Sequence, residues 1–197
     1  MKFEDFIYVN DNALPEDLCD QIIIKYEEDD RKSPGLVGIT GDDRVVDTSI
    51  KTSVDLFISD LDDWKDVDST LAKVVSQNIQ NYINHSFGYL GQLNPTPNPF
   101  RSSSFEDRGY NIKAYEPGGY FHWHDDFALE EHSPRMLAML FYLNTIDEGG
   151  YTEFVSGARV YPVTGRLVMF PATWNYIHRG VPPKKDKKYI MSAYLYQ

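Results

Sequence analysis

Two histidines and two aspartates lie close together in the segment GYFHWHDDF, which spans residues 119–127. Side chains of an extended strand alternate between its two faces, so His122, His124 and Asp126 would share one face. Non-haem iron(II) sites use two histidines and one carboxylate on one side of the metal and leave the other positions open. The spacing therefore indicates a metal site that takes two ligands from this segment and needs a third from elsewhere.

The third ligand has one good candidate among the remaining histidines. His178 follows the apolar run GRLVMFPATW, and a chain can return to the same pocket over this distance in a β-sandwich. His85 ends a predicted helix and His132 lies in a polar loop, so both are expected to be solvated. On these residues alone, a metal site and an ordinary packed aromatic cluster both account for the segment.

Two helices are predicted in the first half of the chain. Residues 15–28 begin with a proline at the usual start of a helix, and residues 66–85 place apolar side chains at helical spacing. DFIYVND indicates a short strand before the first helix, and DTSIKTSVDLFI an extended segment after it. Residues 31–45 and 86–107 are rich in turn-forming residues and are predicted to be loops, the first of them mobile.

From residue 110 onward, short β-type runs follow one another, separated by turn residues. The predicted strands are YNIKAY, YFHWHDDF, RMLAMLFYLN, YTEFV, ARVYPV, GRLVMF and KKYIMSAYLY. Many short strands at this spacing are typical of a β-sandwich or barrel. With the two N-terminal helices packed against it, the sequence predicts one α+β fold.

Composition excludes several classes of protein. The net charge of −11 repels polyanions, so we expect no nucleic-acid partner. No apolar run has the length of a membrane span, so no membrane partner is expected, and the N-terminus lacks the pattern of a signal peptide. The single cysteine, Cys19, lies on the apolar face of the first helix and is expected in the core. Cytoplasmic, reducing conditions are the simplest setting.

Several blocks of the sequence, in their order and spacing, resemble the prolyl 4-hydroxylase branch of the iron(II)- and 2-oxoglutarate-dependent dioxygenases. They are YEPGGYFHWHDD, RMLAMLFYLN, EGGYTEF and HRGVPPKKDKKYIMSAYLY, with FIYVNDNALPEDLCDQI and DTSIKTS nearer the N-terminus. The resemblance implies a double-stranded β-helix, or jelly roll, in a single domain of residues 1–197. Residues 1–107 would form the helical support and substrate-side segments, and residues 108–197 most of the jelly-roll core.

The resemblance also implies which residues bind the metal. His124 and Asp126 match the family's His-x-Asp ligands, and His178 matches its distal histidine. His122 is left over. By strand parity it could still face the pocket, beside the ligands or on the substrate side, but we expect it to be a packed aromatic neighbour without a chemical role.

The co-substrate pocket follows from the same resemblance. The far carboxylate of 2-oxoglutarate needs a buried cation, because an unpaired buried charge is very costly. Lys188, ten residues after His178, matches the family's lysine for this role. Tyr115 matches a tyrosine that hydrogen-bonds the same carboxylate, and Tyr142 and Thr152 match further pocket positions.

Three residues are implied on the substrate side. Arg135 matches an arginine that contacts peptide, and Tyr194 is expected in the pocket wall. Lys51 stands where the family usually has an arginine, and the two side chains differ in bidentate binding. The loop at 31–45 could close over substrate as a lid or could be a plain surface loop.

The implied activity is hydroxylation of a C–H bond with Fe(II), 2-oxoglutarate and O2, releasing succinate and CO2, with ascorbate as a supporting reductant. A prolyl residue in a peptide or protein is the favoured substrate. Hydroxylation of a small molecule or of another side chain is the alternative within this class. A non-catalytic jelly-roll binding module is the alternative from another class, but such a module has no need for a buried lysine opposite an open metal site.

Overall fold

The structure, a computed structural model, describes residues 2–38, 43–88, 105–130 and 132–197. Its two α-helices agree with the prediction: α1 (Glu16–Glu28) begins directly after Pro15, and α2 (Lys65–Phe87) is the longer of the two. Short 3₁₀ helices cover Phe3–Phe6 and Asp62–Trp64. Neither α-helix in this part of the chain combines the length and apolarity needed to span a bilayer.

Antiparallel strands make up most of the rest. In chain order they are β1 (Tyr8–Asn10), β2 (Ser33–Pro34), β3 (Val37–Gly38), β4 (Arg44–Val45), β5 (Val54–Phe57), β6 (Glu106–Asp107), β7 (Asn111–Tyr115), β8 (Phe121–His124), β9 (Leu129–Glu130), β10 (Ser133–Tyr142), β11 (Thr152–Phe154), β12 (Arg159–Val160), β13 (Leu167–Pro171), β14 (His178–Gly180) and β15 (Lys188–Tyr196). Strands β7, β8, β10, β11, β12, β13 and β15 lie on the segments predicted from the sequence.

Two sheets form the jelly roll. The larger has the order β1-β13-β10-β15-β7-β5-β2, with β6 beside β15 and β9 beside β10, and the smaller has the order β12-β11-β14-β8. Every pairing between these strands is antiparallel. With two helices added, this is the predicted α+β fold.

Side chains of the central strands alternate between two hydrophobic cores, one on each face of the larger sheet. In β10, Leu137 and Met139 pack with the helices, whereas Ala138 and Leu140 pack between the two sheets. A strand with both faces buried reads as a continuous apolar run, as MLAMLFYL does. The helices therefore cover the outer face of the larger sheet, with Cys19 fully buried among them as expected. The inner face remains for the smaller sheet and the site between the two.

Some local predictions were wrong. The predicted loop 31–45 contains β2, which pairs with β5, and β3, which pairs with β4; residues 39–42 lie outside the described residues. In the predicted loop 86–107, β6 pairs with β15, and residues 89–104 are not described. Strands of two residues are too short to show a period of two, so only their partners define them.

Candidate metal centre

Three predicted ligands meet at the edge of the smaller sheet. His124 ends β8 and His178 begins β14, and the two residues are direct partners in the antiparallel register. Asp126 follows two residues after His124, with its Oδ1 3.9 Å from His124 Nε2 and its Oδ2 3.5 Å from His178 Nε2. One donor atom from each residue lies within 4.8 Å of the other two. This spacing lets all three side chains reach a single ion.

Backbone carbonyls fix the orientation of both imidazoles. His124 Nδ1 lies 2.7 Å from the carbonyl oxygen of His122, and His178 Nδ1 lies 3.0 Å from that of Tyr176. A carbonyl oxygen only accepts, so each Nδ1–H donates and each Nε2 keeps its lone pair. Both lone pairs face Asp126, which is the arrangement that metal ligation by histidine requires.

The electrostatics of the cluster favour ligand forms. Burial, with the nearby His178, lowers the pKa of His124 to about 3, so its imidazole is neutral. Burial alone would raise the pKa of Asp126, but His178, His124 and the Tyr194 hydroxyl hold it below the ordinary value. A neutral imidazole and an ionised carboxylate are the forms that bind metal ions.

A bulge decides which side chains of β8 reach the pocket. His178 pairs with His124, but Gly180 pairs with Phe121, so β8 has one more residue than β14 over this stretch. Phe121 and His124 consequently both line the pocket. The prediction that His122 and His124 share one face of the strand was wrong because of this extra residue. His122 is exposed, and its ring packs 4.6 Å from that of Tyr120, so only its carbonyl serves the site.

A pocket between the sheets continues from the three ligands to Lys188. This lysine is 3 % exposed, and its Nζ lies 5.7 Å from the ring centre of Tyr115 and 5.6 Å from that of Tyr142. No carboxylate of the described residues pairs with it, and burial lowers its pKa to about 7. Within the described part of the chain, the pocket thus ends in a desolvated lysine that has no anionic partner.

Hydroxyl groups surround this end of the pocket. Lys188 is opposite Tyr115 in the register of β15 and β7, and both line the pocket together with Thr152. Tyr142 is fully buried behind the lining, where its hydroxyl donates to Thr152 Oγ1 over 2.7 Å. Because Thr152 Oγ1 accepts that bond, its own hydrogen can point to a ligand.

The predicted substrate residues lie at different places. The Tyr194 hydroxyl donates to Asp126 Oδ1 over 2.9 Å, so this tyrosine contacts a metal ligand as well as lining the pocket. The Arg135 guanidinium stacks on the Tyr194 ring at 4.0 Å. Lys51 is buried outside the lining, with Nζ 2.7 Å from Asp55 Oδ2, so its predicted contact with substrate stays a prediction.

Sequence reasoning missed one charged residue of the pocket. Lys113 is 9 % exposed, lines the pocket, and donates a hydrogen bond to Ser192. It lies two residues before Tyr115 in β7, so the period of two already placed both on one face.

The family comparison covers the part of the chain that holds all of these ligands. Residues 110–196 match the family model described as the 2OG-Fe(II) oxygenase superfamily. The predicted enzyme class, a 2-oxoglutarate-dependent dioxygenase, is confirmed.

Solved structures with the same fold include three prolyl hydroxylases. The viral collagen prolyl hydroxylase of Paramecium Bursaria Chlorella virus-1, in its 2OG complex, has a TM-score of 0.62 at 15 % identity, covering 97 % of this chain and 96 % of that one. A Pseudomonas putida prolyl-4-hydroxylase has a TM-score of 0.63 at 19 % identity, covering 97 % and 92 %. A Trichoplax adhaerens prolyl hydroxylase, in complex with a hypoxia inducible factor peptide fragment, has a TM-score of 0.69 at 16 % identity, covering 98 % and 84 %. No curated protein matches the sequence.

The described residues of the pocket fit Fe(II) as the metal and 2-oxoglutarate as the co-substrate. Two imidazoles and one carboxylate are a donor set suited to Fe(II) that leaves coordination positions open. The buried Lys188 at the far end of the pocket, which has no carboxylate partner among the described residues, suits the distal carboxylate of 2-oxoglutarate.

Proposed function

We propose that the protein hydroxylates a prolyl residue with Fe(II), 2-oxoglutarate and O2, releasing succinate and CO2. The observation that carries this proposal is the convergence of His124, Asp126 and His178 in the same pocket as a buried Lys188 that pairs with no carboxylate of the described residues. A structural metal site would need no such lysine, so this combination disfavours a binding module.

The chain's own residues would hold and orient the reactants. His124 and His178 would ligate through Nε2 and Asp126 through its carboxylate, while Lys188, Thr152 and Tyr115 would bind the distal carboxylate of 2-oxoglutarate. When bound, the ferrous ion and 2-oxoglutarate supply the oxidation of the C–H bond by O2.

Water exclusion is the second contribution of the chain. The ring of Phe121 stacks on that of His124, with centroids 3.5 Å apart and planes 17° apart. Phe170 packs edge-on against His178 at 4.9 Å. These apolar rings shield the ligands and hold them in place before the metal binds.

The prolyl substrate is supported by analogy and by the surface beside the site. The solved structures of the same fold include prolyl hydroxylases, one of them with a bound peptide fragment. Trp123 and Phe127, which flank the ligands of the metal segment, are exposed and could contact a peptide. A cytoplasmic location and support of turnover by ascorbate are part of the same proposal.

Mass spectrometry of candidate prolyl peptides tests the proposal. The protein is incubated with each peptide, Fe(II), ascorbate and 2-oxoglutarate, with Asp126→Ala as control. We expect a gain of one oxygen on proline, matched by succinate, in the wild type alone. Iron-dependent 2-oxoglutarate turnover without modified proline would instead favour a small molecule or another side chain. No such turnover would contradict the enzyme assignment.

A further inference from the structure

The pocket contains a second buried lysine, Lys113, that has no part in the proposed metal ligation or 2-oxoglutarate binding. Lys113 lies in β7 opposite Ile190 of β15, and its ammonium donates to the hydroxyl of Ser192. Both Lys113 and Ser192 line the same pocket, and Lys188 lies at its far end. A hydroxyl is neutral, so this hydrogen bond leaves the charge of Lys113 unbalanced.

The nearby carboxylates have other partners. Asp55 Oδ2 lies 2.7 Å from Lys51 Nζ, and Asp55 Oδ1 accepts a bond from the Ser53 hydroxyl over 2.5 Å. Asp126 faces the two histidines and Tyr194. Across the described ranges, no carboxylate forms an ion pair with Lys113, and burial lowers its pKa to about 8. A buried ammonium in this position is costly unless a ligand supplies the anion.

The two lysines serve different ends of the pocket. Lys188 pairs with Tyr115, whereas Lys113 lies further along β7 and reaches Ser192. Ser192 is two residues from Tyr194, which bonds the metal ligand Asp126. The ammonium of Lys113 therefore lies towards the metal end, where the primary substrate must present its C–H bond.

Charge balance identifies the missing anion. With the metal and co-substrate bound, the negative charges of Asp126 and of the two carboxylates of 2-oxoglutarate would equal the positive charges of a ferrous ion and Lys188. These groups are neutral as a set, so Lys113 adds one positive charge without a counterpart. A single carboxylate of the primary substrate would neutralise it and accept the charge-assisted hydrogen bond.

We propose that Lys113, together with Ser192, binds a carboxylate of the primary substrate. The substrate class is then a C-terminal prolyl residue, whose free carboxylate lies beside the ring that reacts, and free L-proline is the smallest probe with the same group. This inference rests on the proposed function and narrows it, because a proline within a peptide has an amide in place of the carboxylate.

Matched acids and amides test the inference. The full chain, loaded with Mn(II) and 2-oxoglutarate, is titrated calorimetrically with L-proline, L-prolinamide, Ala-Pro and Ala-Pro amide. We expect at least one acid to bind about 10- to 100-fold more tightly than its amide, the range for a buried charge-assisted hydrogen bond. Equal binding of acid and amide, or binding of neither acid, would overturn the inference.

Variants of Lys113 test whether this lysine causes the preference for the acid over the amide. Lys113→Met and Lys113→Gln should abolish the preference for the acid, whereas Lys184→Met removes an exposed lysine and should keep it. Both Lys113 variants should melt no lower than the wild type, since each removes a buried charge. An acid preference that survives in both variants would overturn the assignment.

The co-substrate provides the remaining comparison. Lys113→Met should change the affinity for 2-oxoglutarate by less than about threefold, whereas Lys188→Met should lower that affinity by about tenfold or more. Equal losses in both variants would assign Lys113 to the co-substrate and overturn the inference. Hydroxylation of internal prolines with no binding of either acid would also overturn it, but would leave the proposed function intact.

Discussion

His124 and His178 lie directly opposite each other on neighbouring antiparallel strands, with ring centres 4.3 Å apart. Each ring is held by the backbone carbonyl two residues earlier in the chain. The sheet thus sets both the separation and the orientation of the two Nε2 atoms. A site built on strands in this way needs little rearrangement when the metal binds.

Binding of 2-oxoglutarate should depend on pH through Lys188. Its pKa of about 7 in the ligand-free protein means that the neutral form dominates above neutrality. A bound carboxylate favours the ammonium, so binding takes up a proton, and the Kd should rise by up to about tenfold per pH unit above pH 7. Calorimetry between pH 7 and 9, in buffers of different ionisation enthalpy, measures the affinity and the proton uptake together.

Lys188→Met is the control for this dependence. The variant should bind 2-oxoglutarate weakly and lack the part of the pH response that Lys188 causes. A wild-type affinity that stays constant from pH 7 to 9 would contradict the role given to Lys188.

Tyr194→Phe should weaken iron binding by about tenfold or more, since groups that hold a metal ligand contribute about 10- to 100-fold to affinity. The change removes the hydroxyl that bonds Asp126 Oδ1 and keeps the ring on which Arg135 stacks. Tyr196→Phe is the matched control on the same strand, because its hydroxyl bonds Arg135 Nε. Equal Fe(II) affinities for the two variants, measured anaerobically, would show that the Tyr194 hydroxyl does not hold the ligand.

Sequence reasoning succeeded where periodicity is long and failed where a single residue interrupts it. The helices and β10 were predicted because their apolar patterns extend over several turns or strand repeats. The bulge in β8 was not visible, so the predicted alternation wrongly placed the side chain of His122 beside that of His124. The sequence also gave no sign that Lys51 would find a buried partner in Asp55, since that ion pair depends on tertiary packing.

The helix that covers the larger sheet offers a matched test of the fold. In α1, Ile22 is 0 % exposed and Ile24 is 59 % exposed. Ile22→Ala should lower the free energy of unfolding by about 2–5 kcal/mol, because it leaves a cavity between helix and sheet. Ile24→Ala should change it by less than about 0.5 kcal/mol. Urea denaturation compares the two, and similar losses would mean that α1 does not pack as described.

The most direct test of the metal centre is anaerobic equilibrium dialysis with Fe(II). The wild type should bind one ferrous ion per chain, and Asp126→Ala and His178→Ala should bind none at the same concentration. His122→Ala, a histidine change in the same segment, should bind as the wild type does because only its carbonyl is used. Wild-type iron binding by Asp126→Ala and His178→Ala, or its loss in His122→Ala, would contradict the account.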